Sequence, residues 1–154
     1  VRTLFTHCVW ADDFSGFDPE LHSLTHCAVS NRLLSKRTLN LRAALGAGAS
    51  INIGTDGLSS NMSLNFLDEL RANLLIHASF DPLKLARVLL LASTKNAANA
   101  LNLDSGEIKT GKLADLALYG GFADADAAQL PLMLILHAKG CERLFVGGAE
   151  INLE

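Results

Sequence analysis

The sequence has few of the devices that hold a fold together from outside a core. Its three cysteines, Cys8, Cys27 and Cys141, are odd in number and form no Cys-x-x-Cys pair. That argues against a disulfide framework and fits a reducing, cytoplasmic setting. Unbroken apolar runs such as Leu132–Leu136 fall far short of the ~20 residues that a membrane span needs, and the first residues resemble no signal peptide. Charge is sparse and balanced: 13 Lys and Arg stand against 16 Asp and Glu, for a net charge of −3, so no surface suited to nucleic acid is expected. Low-complexity tracts and solenoid repeats are absent. What is there is a chain of 154 residues, 49% hydrophobic, long enough to bury a core of its own. The expected partner is a small molecule or another protein. The chain opens on Val1-Arg2-Thr3-Leu4-Phe5 without a Met or a preceding cap, and reads as a piece of something longer.

Three strand-like runs each end in a residue that can bind a metal or move a proton. Leu4-Phe5-Thr6 runs into His7, Ser23-Leu24-Thr25 into His26, and Ile51-Asn52-Ile53-Gly54-Thr55 into Asp56. Between them, Pro19-Glu20-Leu21-His22 and Asn40–Gly46 have the composition of short helical connectors. This β-α-β-α-β rhythm predicts an α/β fold with parallel strands, whose ends carry the reactive groups on one side as in a (β/α) barrel. Beyond Asp56, Gly57-Leu58-Ser59-Ser60-Asn61 forms a loop into a helix from Met62 to Ala78. Asn61 or Ser63 caps it, and Leu64, Leu67, Leu70, Leu74 and Leu75 make its apolar face. Asp81-Pro82 pairs an N-cap with a proline at the first helical position and opens a helix from Leu83 to Ala92. Ser93 or Thr94 caps another through Leu101. From about Leu103 the texture changes, with a strand at Ala114–Tyr119 and a helix from roughly Ala123 to Ala138. Strands at Arg143–Val146 and Glu150–Leu153 follow, joined by a Gly147-Gly148 hairpin turn.

Of the chemistry-bearing residues, His7 taken alone suits a structural role at least as well as a catalytic one. The triplet Thr6-His7-Cys8 returns as Thr25-His26-Cys27 and invites a zinc reading. Structural zinc knuckles, however, separate their ligands by about two to four residues, and adjacent side chains on a strand point to opposite faces. His22 and His26 are separated by strand-like residues, while His77 and His137 read as solvated or capping. Asp56 follows a strand and precedes a Gly/Ser loop and a helix N-terminus. A carboxylate there can bind a metal and accept a proton from water, or it can simply close the strand with an Asx turn.

Thr55-Asp56-Gly57-Leu58-Ser59-Ser60-Asn61, with Ser30-Asn31-Arg32-Leu33-Leu34 upstream and Leu67-Asp68-Glu69-Leu70-Arg71-Ala72 downstream, resembles the amidohydrolase superfamily. Within it the likeness is to the branch of adenine-type deaminases and chlorohydrolase-like enzymes, nearest to the aminodeoxyfutalosine deaminases of the futalosine route to menaquinone. Ala114-Asp115-Leu116 and Leu144-Phe145-Val146-Gly147-Gly148 extend it over nearly the whole chain. The resemblance implies a (β/α)8 barrel with one divalent metal ion, zinc or iron, acting on a purine nucleoside. By it, residues 1–103 are the C-terminal segment of the barrel from about its sixth strand. Residues 104–154 are the returning part of a small β-sandwich domain. His7 matches the histidine that hydrogen-bonds the attacking water or stabilises the tetrahedral intermediate, and Asp56 the aspartate that ligates the metal and shuttles the proton. Ser59 and Asn61 fall where substrate is bound; His26 matches a seventh-strand position and is not taken as a ligand.

The chain also departs from that pattern. His7, His22, His26, His77 and His137 contain no His-x-His or His-x-x-Glu spacing, so the family's remaining metal ligands and its ring-protonating glutamate have no counterpart. The expected metal is therefore one that these residues do not hold alone, and the expected partners include the N-terminal part of the barrel and a further copy of the intact enzyme. The expected reaction is deamination of 6-amino-6-deoxyfutalosine. The alternatives are deamination of methylthioadenosine, S-adenosylhomocysteine or guanine, chlorohydrolase-like chemistry, or a non-catalytic piece that needs a partner chain.

Overall fold

A computed structural model describes residues 1–122 and 124–153. Strand β1, Thr3–Thr6, is followed by β2, His22–His26, and then by two short helices, α1 (Ala28–Ser35) and α2 (Leu41–Gly46), and strand β3 (Ser50–Ile53). The strands are parallel in the order β1-β2-β3, with Phe5 beside Leu24 and Leu24 beside Ile51. The expected α/β rhythm holds across β2 and β3 but not before β2. Pro19-Glu20-Leu21 is a turn that runs straight into His22 of β2, the N–H groups of Leu21 and His22 both donating to Asp18 O (3.1 and 2.7 Å). One turn is too short to offset the cost of nucleating a helix.

Strand alternation gives the sheet two unlike faces. Leu24, Ile51 and Ile53 are buried in the core shared with the helices. On the other face Thr25 Oγ1 donates to Asn52 Oδ1 (2.7 Å). A side chain on Gly54 would come within 3.1 Å of Thr25 Cγ2 and 3.3 Å of Cys27 Sγ, so glycine lets β3 lie close to β2 at its end.

Helices α3 (Phe66–Ile76), α4 (Pro82–Ser93) and α5 (Lys95–Ala100) follow. The expected start of α3 at Met62 is corrected to Phe66, with Asn65 as cap: its Oδ1 accepts from Leu67 N at 3.1 Å. Asn61 and Ser63 do not cap it because their side chains have other partners, Asn61 donating to Thr55 O and Glu69 Oε2 and Ser63 to Asp68 Oδ2 (2.8 Å). Leu67 and Leu70 are buried, whereas Leu64 lies outside the helix and Leu75 one step round from its buried stripe, and both are exposed. Asp81 and Pro82 open α4 as expected, Asp81 Oδ1 accepting from Lys84 N at 2.9 Å. The Thr94 hydroxyl donates to Leu90 O (2.7 Å) and caps nothing.

The C-terminal third holds β4 (Leu116–Leu118), α6 (Leu130–His137), β5 (Arg143–Val146) and β6 (Ala149–Ile151), with the strands antiparallel in the order β4-β5-β6. Gly147 and Gly148, at φ +58° and +85°, make the expected two-residue turn, whose positive φ values suit glycine. Ala123, the expected start of the last helix, lies outside the described residues; α6 itself begins at Leu130. The two sheets are separate, but the core is shared: Ile135 of α6 is fully buried in it. Arg71 of α3 donates through Nε to Ile135 O (2.9 Å) and through Nη2 to Ala138 O. Among the described residues no helix is long and apolar enough to cross a membrane.

Glu69 joins these parts at the sheet's C-terminal edge. It is 1% exposed, and its Oε1 accepts from Val29 N (3.3 Å) while Oε2 accepts from Asn61 Nδ2 (2.8 Å). Helix α1 has no side-chain cap of its own, so the Glu69 carboxylate serves its N-terminus from another helix. Burial pushes the Glu69 carboxyl above its ordinary range. The Glu69→Gln variant will be destabilised by about 1–3 kcal/mol in urea unfolding at neutral pH, because one acceptor oxygen becomes a donor facing a donor. Asn61 has no freedom to reverse its amide, since Nδ2 also donates to Thr55 O (2.7 Å) and Oδ1 accepts from Ser63 N (3.2 Å). An unchanged midpoint would show that these bonds do not carry the edge.

Candidate functional site

Parallel pairing brings the ends of β1, β2 and β3 to one side, and the three expected reactive residues follow there. The His7 N–H extends the ladder by donating to Thr25 O (2.9 Å), and the chain then turns sharply, Cys8 N donating back to Thr6 O (2.9 Å). His7 and Cys8 take φ values of +69° and +45°, and Asp56, beyond β3, takes +60°. Side chains rarely adopt this left-handed region, and each such residue costs about 1–3 kcal/mol. Lys36 and Asn102, at +54° and +56°, take the same region elsewhere in the chain.

Two adjacent residues at the start of α1 hold the two outer ones. Ser30 Oγ donates to Asp56 Oδ2 at 2.5 Å, and Asn31 Oδ1 lies 2.8 Å from His7 Nδ1. Asp56 Oδ1 also accepts from Gly57 N (2.9 Å). The Asp56 carboxyl is held below its ordinary range, first by the Ser30 hydrogen bond, then by Ser60 and Gly57, with a smaller contribution from His7. It is exposed, ionised at neutral pH and fixed in direction, and each oxygen keeps a lone pair. The Asp56 side chain bonds the N–H of the next residue, not one two residues on as in the Asx turn expected as an alternative.

Behind His7 runs a buried polar chain. Asn31 Nδ2 lies 3.2 Å from His26 Nδ1, and His26 Nε2 lies 2.9 Å from His77 Nε2. Burial, and after it the charges of His77 and His7, lowers His26 to about 3; burial lowers His77 to about 4. Both rings are therefore neutral at pH 7. The expectation that His77 is solvated or capping is half corrected: its backbone closes α3 by donating to Asn73 O (3.0 Å), but its ring is buried. His26 has both ring nitrogens engaged and none left for a metal. Burial also pushes the Cys27 thiol up to about 11, so without a metal it stays protonated at neutral pH. Among the described residues no three His, Cys, Asp or Glu side chains are grouped to hold a metal.

Ser59 is exposed in the loop beyond Asp56, while Asn61 is buried with both ends of its amide engaged, to Thr55, Glu69 and Ser63. A cavity of about 1070 Å³, lined by residues such as Arg2, Leu21, Ser50 and Asn102, lies at the opposite ends of the strands and contains none of the site residues. Ser30, Asn31 and Glu69 stand in the sequence only as parts of the motifs that carry the resemblance, and nothing adjoining His77 in the chain points to its part in the buried polar chain.

The profile of a family described as "Amidohydrolase family" matches residues 1–149. An adenosine deaminase of Helicobacter pylori is 47% identical over 128 residues, which are 83% of this chain and 31% of that protein. An aminodeoxyfutalosine deaminase of a Nitratiruptor species is 35% identical over 155 residues, 97% of this chain and 37% of that protein. The crystal structure of Helicobacter pylori aminofutalosine deaminase in complex with methylthio-coformycin superposes with a TM-score of 0.89 at 43% identity. It is matched over 97% of this chain and 38% of its own. The chain thus spans about a third of the length of these curated relatives.

The buried histidines make stability depend on pH. A histidine whose folded pKa is depressed contributes stability that is present above the unfolded value of about 6.5 and is lost as pH falls towards the folded value, because the unfolded chain binds the proton first. Urea unfolding between pH 6.5 and 4 will show stability falling on acidification. The fall will be shallower by up to about one proton in His77→Gln, which keeps an acceptor for His26. Parallel curves for the two proteins would contradict the burial of a neutral His77.

Proposed function

The chain belongs to the amidohydrolase family, and from that premise we propose that it is part of a metal-dependent hydrolase that deaminates an aminopurine nucleoside. The observation that carries this reading is the joint tethering of His7 and Asp56 by Asn31 and Ser30. Two groups suited to moving protons are thereby fixed at the ends of parallel strands, the arrangement that a (β/α) barrel presents on its active face. On this reading residues 1–103 continue such a barrel from about its sixth strand, and β4–β6 belong to a small β-sandwich domain.

The donor set fits one divalent metal ion, zinc or iron, only in part. Asp56, ionised and exposed with a free lone pair on each oxygen, is the residue that would hold it. A tetrahedral site needs about four ligands, so the rest come from outside these residues. When bound, the metal makes water a usable nucleophile near neutral pH. Asp56 keeps a negative charge at the site and takes up the proton that water gives up. His7, with Nδ1 tied to Asn31, turns its Nε2 to the reacting atoms and orients the attack or stabilises the charge that develops. Ser59 is the loop side chain available to substrate; Asn61 shapes the loop that carries it.

The substrate proposed is 6-amino-6-deoxyfutalosine, which with one water gives futalosine and ammonia. The relative named aminodeoxyfutalosine deaminase and the aminofutalosine deaminase structure support it. In the metal-loaded protein with a complete barrel, Asp56→Asn will lower turnover by about 10²–10⁴-fold while substrate binding falls much less. His7→Asn will also lower turnover but leave the metal content near that of the parent. Ammonia release from aminodeoxyfutalosine, methylthioadenosine, S-adenosylhomocysteine and guanine, with metal analysis, tests both. Release from none of these would overturn the deaminase reading, and loss of metal in His7→Asn would make His7 a ligand.

A further inference from the structure

We propose that Asn31, backed by His26 and His77, is a positioning residue that fixes the His7 proton on Nδ1 and leaves Nε2 as the nitrogen offered to the site. The argument follows donors and acceptors along the chain. Asn31 Oδ1 can only accept, so the His7 nitrogen 2.8 Å away carries the hydrogen. Asn31 Nδ2 can only donate, so His26 Nδ1, at 3.2 Å, is bare. A neutral His26 then carries its hydrogen on Nε2 and gives it to His77 Nε2 at 2.9 Å. Each bond dictates the next, and the tautomer of an imidazole is set by the partner of its other nitrogen.

Burial makes the chain hard to reverse. His26 is fully buried, Asn31 is 2% exposed and His77 is 7% exposed. Turning the Asn31 amide round would set its NH2 against His7 Nδ1 and its oxygen against His26 Nδ1, and His26 would then present a bare Nε2 to His77. All three rings would have to exchange tautomers together. A buried chain with complementary polarity is the kind of network in which a single unmatched group is costly. For His7 the consequence is one nitrogen of fixed character.

The inference rests on the proposed reaction for its catalytic consequence, but its first test does not. Histidine 15N NMR on the complete, metal-loaded protein at pH 7 will show His7 as the Nδ1–H tautomer and His26 as the Nε2–H tautomer. Asn31→Leu will release His7 into a mixture of tautomers and lower kcat by about 10–100-fold with KM little changed. Asn31→Asp, which still accepts from His7 Nδ1–H, will keep the His7 tautomer and recover part of kcat. A His7 hydrogen on Nε2 in the parent protein would overturn the proposal, as would unchanged tautomer and kcat in Asn31→Leu. If Asn31→Leu fails to fold, His77→Gln, which preserves the acceptor, against His77→Leu, which removes it, reads the same chain through the His26 tautomer. No ammonia release from any aminopurine, with the tautomers as stated, would count against the reaction and not against the positioning.

Discussion

Everything at the strand ends depends on two neighbouring side chains in one turn of helix α1. Ser30 holds Asp56 and Asn31 holds His7, so the carboxylate and the imidazole are placed by a single rigid element. A hydrogen bond to an ionised carboxylate is stronger than a neutral one, and Ser30 is itself buried. The pair has no slack because α1 is anchored at its start by the Glu69 carboxylate from α3. Glu69 also grips Asn61 in the loop that follows Asp56. One buried acid thus joins the helix that positions both groups to the loop that carries one of them.

This arrangement explains how the strain at these strand ends is held. His7, Cys8 and Asp56 occupy the left-handed region without being glycine, and such conformations persist only where surrounding bonds over-determine them. Asp56 has Ser30 and Gly57; His7 has its ladder bond to Thr25 and its side-chain bond to Asn31. The sheet supplies the base for these bonds. Helices α4 and α5 pack against β3, and Asn96 of α5 donates to Ile51 O at 3.0 Å.

Much of this was legible in the sequence wherever the signal is local. The Asp81-Pro82 helix start, the Gly147-Gly148 turn and the three strand ends at His7, His26 and Asp56 are written in residues that adjoin in the chain. What was not legible depends on partners far apart. His77 reads as a solvated helix-end residue until β2 brings His26 against it, 51 positions away. The start of α3 is displaced because Asn61 and Ser63, good caps in isolation, are recruited by Glu69, Thr55 and Asp68. Pro19-Glu20-Leu21-His22 has helical composition but too few residues before β2 must begin. The choice of zinc or iron rests on the family resemblance, since one exposed carboxylate does not specify an ion.

The central claim, that α1 holds the reactive groups through direct side-chain bonds, is tested most directly by a double-mutant cycle on unfolding free energy at neutral pH. It needs Ser30→Ala and Asp56→Ala, alone and together. If the bond between Ser30 Oγ and Asp56 Oδ2 is the link, Ser30→Ala will cost stability in the parent protein and almost nothing once Asp56 is gone. The coupling energy will then lie within about 0.5–3 kcal/mol. Additive effects of the two substitutions would contradict it.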